Sequence, residues 1–466
     1  MDKKERRKGI FKFFLSTTGL LLVFVMIFNS FSTIFVQPED DRCYSLMHGF
    51  YKEKDDSLDA VFISSSTSYA NFNIMMAWQN YGINAFTLAT PHQPIYAAEY
   101  IFTEAVKTQP NALYVFNLGT VCEYFEKDQL YAFHAILDYM PFSFNKVKLT
   151  KYLLDNAEMK YMENSEYFFP LVRYHDKWTD WDGTDYHKEL DGVKGAPHYK
   201  QYKYRKRNVE KLYKETDEVN SESPQAQKIK ECMSRLFEQI KANNANAMFI
   251  IVPTAGKTID IHQHINYAKQ LAEEAGYPVL DMQDKKLMDS IGLDLTTDYY
   301  NDNHPNIHGS VKTTKFIAEY LLNNYDFKDK RYDDSYKAKK SWDEALVDYQ
   351  NMIKAYSLEQ EYTFQIDNSF AAPKISASAE GKGEIEINVK LDKSADGYRI
   401  YRKEGNYDSG YWWSQICELP SDVTTYTDKA DADKTYTYTA IAYKKDGDNT
   451  VWSKYKYFGV TVTDEK

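Results

Sequence analysis

Two segments of this sequence, far apart along the chain, contain the residue types that could carry out chemistry. One is the hydroxyl-rich run Ser64–Ser68, directly after an apolar stretch, and the other is Asp298–Gly309, DYYNDNHPNIHG. A serine becomes a nucleophile when a histidine takes its proton, and that histidine needs a carboxylate or an amide to hold its tautomer. The two segments therefore suggest a serine nucleophile activated by His304, with Asn301 or Asp302 orienting the ring.

Each segment also has a purely structural interpretation. Ser and Thr are preferred at helix N-caps, so the serine run could serve only to cap the following helix. The second segment could be a polar turn in which Asn306 is the N-cap and His304 a solvated side chain. Taken singly, each segment favours the structural interpretation. Taken together, they favour a catalytic site.

The pattern between residues 57 and 324 predicts the elements that must position these segments. Short apolar runs occur at residues 59–63, 83–88, 112–118, 246–252 and 278–281. Helical stretches alternate with them at residues 69–81, 95–108, 225–243, 261–275 and 308–324. This alternation predicts an α/β domain over 37–330, with a parallel sheet covered by helices on both faces. Ligands bind such sheets at the carboxyl ends of the strands, where the serine run would lie. We interpret the aromatic-rich interval of about 120–224 as a partly helical insertion over that edge.

The C-terminal part has a different pattern. After a helical linker, predicted at 331–370, residues 373–463 alternate apolar and polar side chains, with turn signals every 8–12 residues. This pattern is typical of a small antiparallel β-sandwich, which we place at 371–466. It resembles a fibronectin type III module, with Tyr436 at the position of the corner tyrosine of such modules.

The N-terminal part predicts a membrane anchor. Residues 13–36 contain no charged side chain over 24 positions, and the preceding tail, 1–12, is basic. As a helix this run would be about 36 Å long, enough for a hydrocarbon core of about 30 Å. The basic flank would stay in the cytoplasm, which gives a single-pass protein of the cell membrane with its bulk extracellular. A cleaved signal peptide is the alternative. It is disfavoured because the apolar run is long and no small-x-small site follows it.

Composition excludes several classes of protein. The 466 residues carry a net charge of −11, with a pI near 5.5, whereas a nucleic-acid partner requires a clustered basic surface. The mean hydropathy of −0.61 argues against a polytopic membrane protein. The four cysteines form no CxxC or other metal-binding spacing and the ten histidines form no HExxH motif, so we expect no metal and no cofactor.

The order of the motifs resembles the SGNH (GDSL-like) hydrolase family, in its extracytoplasmic acyl-transfer branch. In DAVFISSSTSYANFN, Ser66 matches the family's nucleophile and Tyr69 the tyrosine that follows it. The stretch 87–93, TLATPHQ, resembles the second block of the family. His304, Asn306 and Gly309 match the last block in register.

The resemblance implies roles for particular residues. The oxyanion would lie against the N–H groups of Ser66 and Ala89, and Gln93 and Tyr69 would contact substrate. Ser64 and Ala89 stand where the family usually has glycines, and Asn301 occupies the usual aspartate register.

The family's third-block asparagine has no clear counterpart, because Asn117 is predicted to lie inside a strand. Trp178 and Trp181, in the insertion, could stack on sugar rings or pack a small satellite core, and both interpretations stay open.

The function implied by this resemblance is serine-dependent acyl transfer or ester hydrolysis. The expected partners are an acyl donor and a cell-envelope polymer, either a polysaccharide or a teichoic acid, with a membrane-bound O-acyltransferase acting alongside. One alternative is a catalytically inactive SGNH-like protein that binds glycan or acts as a scaffold. Another is a surface adhesion protein in which the β-sandwich is the working part.

Overall fold

The structure is a computed structural model. In it the chain forms two compact units. The first unit comprises residues 1–198 and 207–342, and the second comprises 199–206 and 343–466. The residues described are parts of 9–28, 43–121, 130–175, Lys194, 216–254, 258–295, 298–299, 301–349, Asp367, 369–405, 413–447, 449–453 and 459–464.

A five-stranded parallel sheet forms the centre of the first unit. Its strands are β1 (Ala60–Ser65), β2 (Ala85–Thr90), β3 (Leu113–Asn117), β4 (Ala247–Ile251) and β5 (Val279–Asp281). They are ordered β2-β1-β3-β4-β5, and every neighbouring pair is parallel. All residues of β1, β2 and β3 are buried. Near-continuous apolar runs of this kind are expected where both faces of a parallel sheet are covered, and the predicted strands are confirmed.

Nine α-helices of the first unit connect and flank these strands among the described residues, besides two helical turns of three and four residues. They are α1 (Ser66–Asn71), α2 (Ile74–Tyr81), α3 (Ile95–Ala105), α4 (Leu130–Leu137), α5 (Phe144–Asn156), α6 (Pro224–Ala242), α7 (Ile259–Glu274), α8 (Lys285–Ile291) and α9 (Ile307–Asn324). α4 and α5 fall in the predicted insertion, of which 122–129, 176–193 and 195–215 lie outside the described residues. In the predicted linker, residues 339–349 are helical, and 350–366 and 368 lie outside the described residues.

The second unit contains antiparallel sheets. One has the order β10-β7-β6, and the other has β12-β11-β8-β9 with β13 paired to β11. The strands are β6 (Lys374–Gly381), β7 (Glu384–Lys390), β8 (Gly397–Glu404), β9 (Ser414–Pro420), β10 (Thr425–Lys429), β11 (Thr435–Asp446), β12 (Asn449–Trp452) and β13 (Val460–Thr463). Alternate residues of β7 and β8, among them Ile387 and Ile400, pack into one apolar core. The Tyr436 hydroxyl accepts a hydrogen bond of 3.2 Å from the backbone N–H of Asp431. This bond stabilises the start of β11.

The predicted transmembrane helix requires correction. Within the described part of the chain, no helix combines the length and the apolar character needed to cross a bilayer. The absence of charge over 13–36 is a property of composition, whereas a span requires a continuous helix of about 20 apolar residues. The fold class with an N-terminal transmembrane helix is therefore wrong on this point.

Candidate active site

Ser66 and His304 lie together although 238 residues separate them in sequence. β1 ends at Ser65 and α1 begins at Ser66, so the half-buried Ser66 side chain lies at the carboxyl end of a central strand. Its Oγ is 2.7 Å from Nε2 of His304. This distance suits direct proton transfer from the hydroxyl to the imidazole.

Asn301 determines which nitrogen of His304 carries the proton. The Oδ1 of Asn301 lies 2.9 Å from Nδ1 of His304 and also accepts the backbone N–H groups of His304, at 2.9 Å, and Asn303, at 3.0 Å. Because a backbone N–H can only donate, the amide atom that faces these groups is the oxygen. An oxygen there makes Nδ1 the protonated nitrogen, so the lone pair on Nε2 is free to accept the Ser66 hydroxyl.

The loop that carries His304 is closed on itself and attached to the sheet domain. The backbone N–H of Asn306 donates to the carbonyl of Asp298 at 2.8 Å, and the hydroxyl of the fully buried Tyr299 donates to the carbonyl of Pro253 at 2.7 Å. Burial raises the pKa of Tyr299 well above its usual value, so the hydroxyl stays protonated and able to donate. At Gly309 a Cβ would lie 2.3 Å from the carbonyl oxygen of Asp298, so the chain requires glycine there.

Two buried threonines connect the serine helix to the helix that follows the histidine. The Thr313 hydroxyl, on α9, donates to the carbonyl of Asn71 at 2.7 Å. The backbone N–H of Asn73 donates to the Thr314 hydroxyl at 2.8 Å. These bonds join α9 to the turn between α1 and α2. The relative position of Ser66 and His304 is therefore determined by helix packing as well as by their own hydrogen bond.

Asn117 is a site residue that sequence reasoning missed. The expectation that it lies inside a strand is wrong, because β3 ends at this residue. Its Oδ1 accepts the backbone N–H of Gly119 at 2.9 Å, and its Nδ2 donates to the hydroxyl of Thr67 at 3.0 Å. Asn117 thus orients the residue after the proposed nucleophile. The signal was an asparagine two positions before a glycine at the end of an apolar run, a pattern typical of a strand that turns.

The residues predicted to surround the oxyanion and substrate lie in close packing. Ala89 is fully buried in β2, opposite Ser64, and forms an apolar cluster with Leu46 and Tyr69, which is 2% exposed. Gln93 is buried. Its side chain accepts the hydroxyl of Thr90 at 3.2 Å and donates to the carbonyl of Leu88 at 3.4 Å, which holds the turn after β2.

The remaining predicted site residues stay untested by this geometry. Trp178 and Trp181 lie outside the described residues. Asp302 is half-buried in the histidine loop, next to Asn301. The described residues contain no group of three or more His, Cys, Asp or Glu side chains that could hold a metal ion.

A second serine–histidine pair occurs in the same unit. The Oγ of Ser223 lies 2.7 Å from Nε2 of His264, and the Nδ1 of His264 lies 2.9 Å from the backbone carbonyl of Asp260. Ser223 is the N-cap of α6, and its hydroxyl also accepts the backbone N–H of Ala226 at 3.0 Å. The sequence patterns did not single out this pair.

The chain matches no family model and none of the curated proteins. Among solved structures it is similar to a protein from Lactobacillus plantarum, with 9% identity over 59% of this chain and 99% of that one, at a TM-score of 0.28. A β-1,2-glucanase from Parabacteroides distasonis is 23% identical over 21% of this chain and 13% of the glucanase, at a TM-score of 0.17. An Fn3-like protein from Clostridium thermocellum is 20% identical over 20% of this chain and 92% of that one, at a TM-score of 0.16. These likenesses identify neither a family nor an activity for this chain.

Proposed function

We propose that this chain is a serine-dependent acyltransferase or esterase. Ser66 is the nucleophile, His304 the general base and Asn301 the residue that positions the ring. The observation that carries the proposal is the continuous chain of hydrogen bonds from Asn301 through His304 to Ser66, at 2.9 and 2.7 Å. A nucleophile, a base and an orienting group in this order are the common requirement of serine acyl transfer on unrelated folds.

The tautomer of His304, with its proton on Nδ1, determines the steps of the proposed acyl transfer. As Oγ of Ser66 attacks an ester or thioester carbonyl, its proton passes to Nε2 of His304, and a tetrahedral oxyanion forms. The imidazolium then gives that proton to the departing alcohol or thiol, which leaves an acyl-serine. His304 next deprotonates an incoming hydroxyl, from water or from a glycan, and the acyl group is transferred while the serine regains its proton. The backbone N–H of Ser66, at the start of α1, is the proposed oxyanion donor, because Ala89 is fully buried within β2 and paired with β1.

The side chain of Asn301 is uncharged, and this affects the expected rate of acyl transfer. Asn301 accepts the Nδ1–H hydrogen bond, but it adds no negative charge to stabilise the imidazolium. We therefore expect a slower enzyme than one with a carboxylate at this position. This same feature favours the second candidate function, a catalytically inactive SGNH-like protein that binds glycan or acts as a scaffold.

The substrate is proposed from the sequence resemblance. Similarity to the acyl-transfer branch of the SGNH family supports O-acyl groups of an extracellular cell-envelope polysaccharide or teichoic acid as the substrate. A membrane-bound O-acyltransferase is the proposed partner. The resemblance does not distinguish transfer from hydrolysis, because both proceed through the same acyl-serine.

The test is active-site labelling of the full chain with a fluorophosphonate probe. We expect wild type to be labelled and Ser66→Ala to lose all labelling, since the probe forms its bond to an activated serine oxygen. Ser223→Ala is the matched control, because among the described residues Ser223 is the other serine with a histidine nitrogen at 2.7 Å. This variant should be labelled like wild type. Absence of wild-type labelling, together with normal polymer acylation in a Ser66→Ala strain, would refute the enzyme and leave the inactive, glycan-binding interpretation.

A further inference from the structure

We propose that the C-terminal sandwich binds an acidic polysaccharide in a groove of about 640 Å³ at one end of the β6–β7 pair. The lysine groove, as we call it, is lined by Lys374, Ile375, Ser376, Asn388, Val389, Lys390, Leu391, Asp392, Lys393, Ala395, Ser421 and Thr424. All of these residues belong to the second unit. Binding in this groove does not depend on the proposed chemistry at Ser66, so either proposal can be refuted without the other.

The charge of the lysine groove is opposite to that of the whole chain. Lys374, Lys390 and Lys393 are exposed along it. Asp392 is the only acidic residue among the described residues that line it, so three positive groups and one negative group give a net charge of +2. The carboxylate of Asp392 accepts two hydrogen bonds from Ser394, one from its backbone N–H at 2.9 Å and one from its hydroxyl at 2.8 Å. The ion pairs found among the described residues include none of these three lysines. The groove therefore carries a net positive charge, and no ion pair among the described residues offsets its three lysines.

The strand register shows that this arrangement is unfavourable for the fold alone. Lys374 lies directly opposite Lys390 in the antiparallel β6–β7 pair. At the other end of the same sheet, Lys429 lies directly opposite Glu384. Opposite charges in cross-strand pairs stabilise a sheet, whereas like charges destabilise it. An anionic ligand seated between Lys374 and Lys390 would convert this repulsion into attraction.

Lysine content by itself does not make such a site, as a second groove shows. That groove, in the first unit, has a volume of about 800 Å³ and is also lined by three lysines, but five carboxylates accompany them. Lys269 pairs with Asp281 at 2.9 Å and Lys285 with Asp289 at 3.3 Å. The lysines there are compensated by the chain's own acids, and we assign no anion to that groove.

The rest of the lining points to a sugar polymer. Ile375 and Leu391 are partly buried against the apolar core of this unit, and the surface that they leave exposed forms the apolar part of the groove floor. Ser376, Ser421 and Thr424 add hydroxyl groups beside that floor. The CH faces of sugar rings suit an aliphatic floor and their hydroxyls suit polar neighbours, while the flexible ammonium groups hold point charges. A chain of acidic sugar rings meets all three features.

The experiment measures binding of defined alginate oligosaccharides to the full chain by calorimetry. We expect the triple variant K374Q/K390Q/K393Q to bind at least tenfold more weakly than wild type at low salt. By the counterion-release relation, the slope of log affinity against log salt should fall by about 2. Basic segments elsewhere contribute equally to both proteins and cancel in this comparison. Equal affinity of the triple variant and wild type would overturn the proposal.

Two further comparisons make the test specific. Neutral dextran should bind at least tenfold more weakly than alginate, and so should inorganic polyphosphate. Equal binding of dextran would overturn the role of charge, and equal binding of polyphosphate would overturn the role of the sugar ring. Lys429→Gln removes one charge from the same sheet outside the groove and should retain wild-type affinity. Lys374→Gln should leave the thermal midpoint unchanged or raised while weakening binding, and a lowered midpoint would refute the repulsion on which the argument rests.

Discussion

Among the described residues of the first unit, two serine–histidine pairs have the same hydrogen-bond length and different surroundings. Ser66 and Ser223 each lie 2.7 Å from the Nε2 of a histidine. In both, the opposite ring nitrogen faces an oxygen acceptor: the side-chain amide of Asn301 in one pair and the backbone carbonyl of Asp260 in the other. By distance and tautomer alone, the two pairs cannot be distinguished.

Their difference lies in what the serine hydroxyl does for the fold. Ser223 is the N-cap of α6, and its hydroxyl is already used by the backbone N–H of Ala226. Ser66 is the first residue inside α1, whose N-cap is Ser65, so the helix does not depend on the Ser66 hydroxyl. Ser66 also lies at the carboxyl end of a central parallel strand, where ligands bind. The Ser66 hydroxyl has no capping task, so of the two pairs it is the one that fits the proposed chemistry.

The largest expected contrast comes from removing each imidazole. His304→Gln should lower the rate of fluorophosphonate labelling by about 10³-fold, because no base remains to take the serine proton. His264→Gln should leave that rate unchanged within about twofold, since Ser223 is not the labelled residue. A large loss in His264→Gln, with the protein still folded by circular dichroism, would break the distinction.

The orienting groups give the next contrast. Asn301→Ala should lower labelling by about 10²-fold, because Nδ1 of His304 loses the acceptor that fixes its tautomer. Asn301→Asp should retain or exceed the wild-type rate, since a carboxylate accepts the same bonds and adds charge. Asp260→Ala should change little: the acceptor there is a backbone carbonyl, and the Asp260 carboxylate is 67% exposed and 3.6 Å from the ring. A rate for Asn301→Ala equal to wild type would show that the amide does not position His304.

Substitutions at two glycines should distinguish a loss of stability from a loss of labelling. Gly309→Ala forces a Cβ to within 2.3 Å of the Asp298 carbonyl, so we expect a shifted His304 loop, a lower thermal midpoint and about a tenfold loss of labelling. Gly276, after the helix that carries His264, has φ +84° and open space around it. Gly276→Ala should lower the midpoint through backbone strain and leave labelling unchanged. Equal labelling of both variants would mean that the loop tolerates the displacement.

The smallest expected effect is on stability, where replacing Ser223 should cost more than replacing Ser66. Ser223→Ala should lower the free energy of unfolding by about 1–2 kcal/mol, because α6 loses its cap and the buried His264 loses a hydrogen bond. Ser66→Ala should cost less than about 0.5 kcal/mol, since no cap is lost. Urea denaturation of both variants measures the difference. The comparison fails if Ser66→Ala is the more destabilising change.

Much of the first unit could be predicted from local sequence. The apolar runs 59–63 and 83–88 correspond to β1 and β2, and the stretch 225–243 corresponds to α6. Buried strands and amphipathic helices leave periodic patterns that need no knowledge of distant contacts. The end of β3 was missed because an apolar run does not show where its last paired residue lies. The predicted span over 13–36 was wrong: no helix among the described residues is long and apolar enough to cross a bilayer, and a lack of charge does not by itself produce one.

Sequence alone determined which residue types were candidates for the site: a serine run after a strand, and a polar histidine segment before a helix. Only the tertiary structure brought Ser66 to His304 across 238 residues. It also selected Asn301 as the group at the ring, because two backbone N–H groups of the folded loop turn its amide oxygen inward. Local propensity acts over a few residues, whereas the hydrogen-bond direction that sets a tautomer depends on how the whole chain has packed.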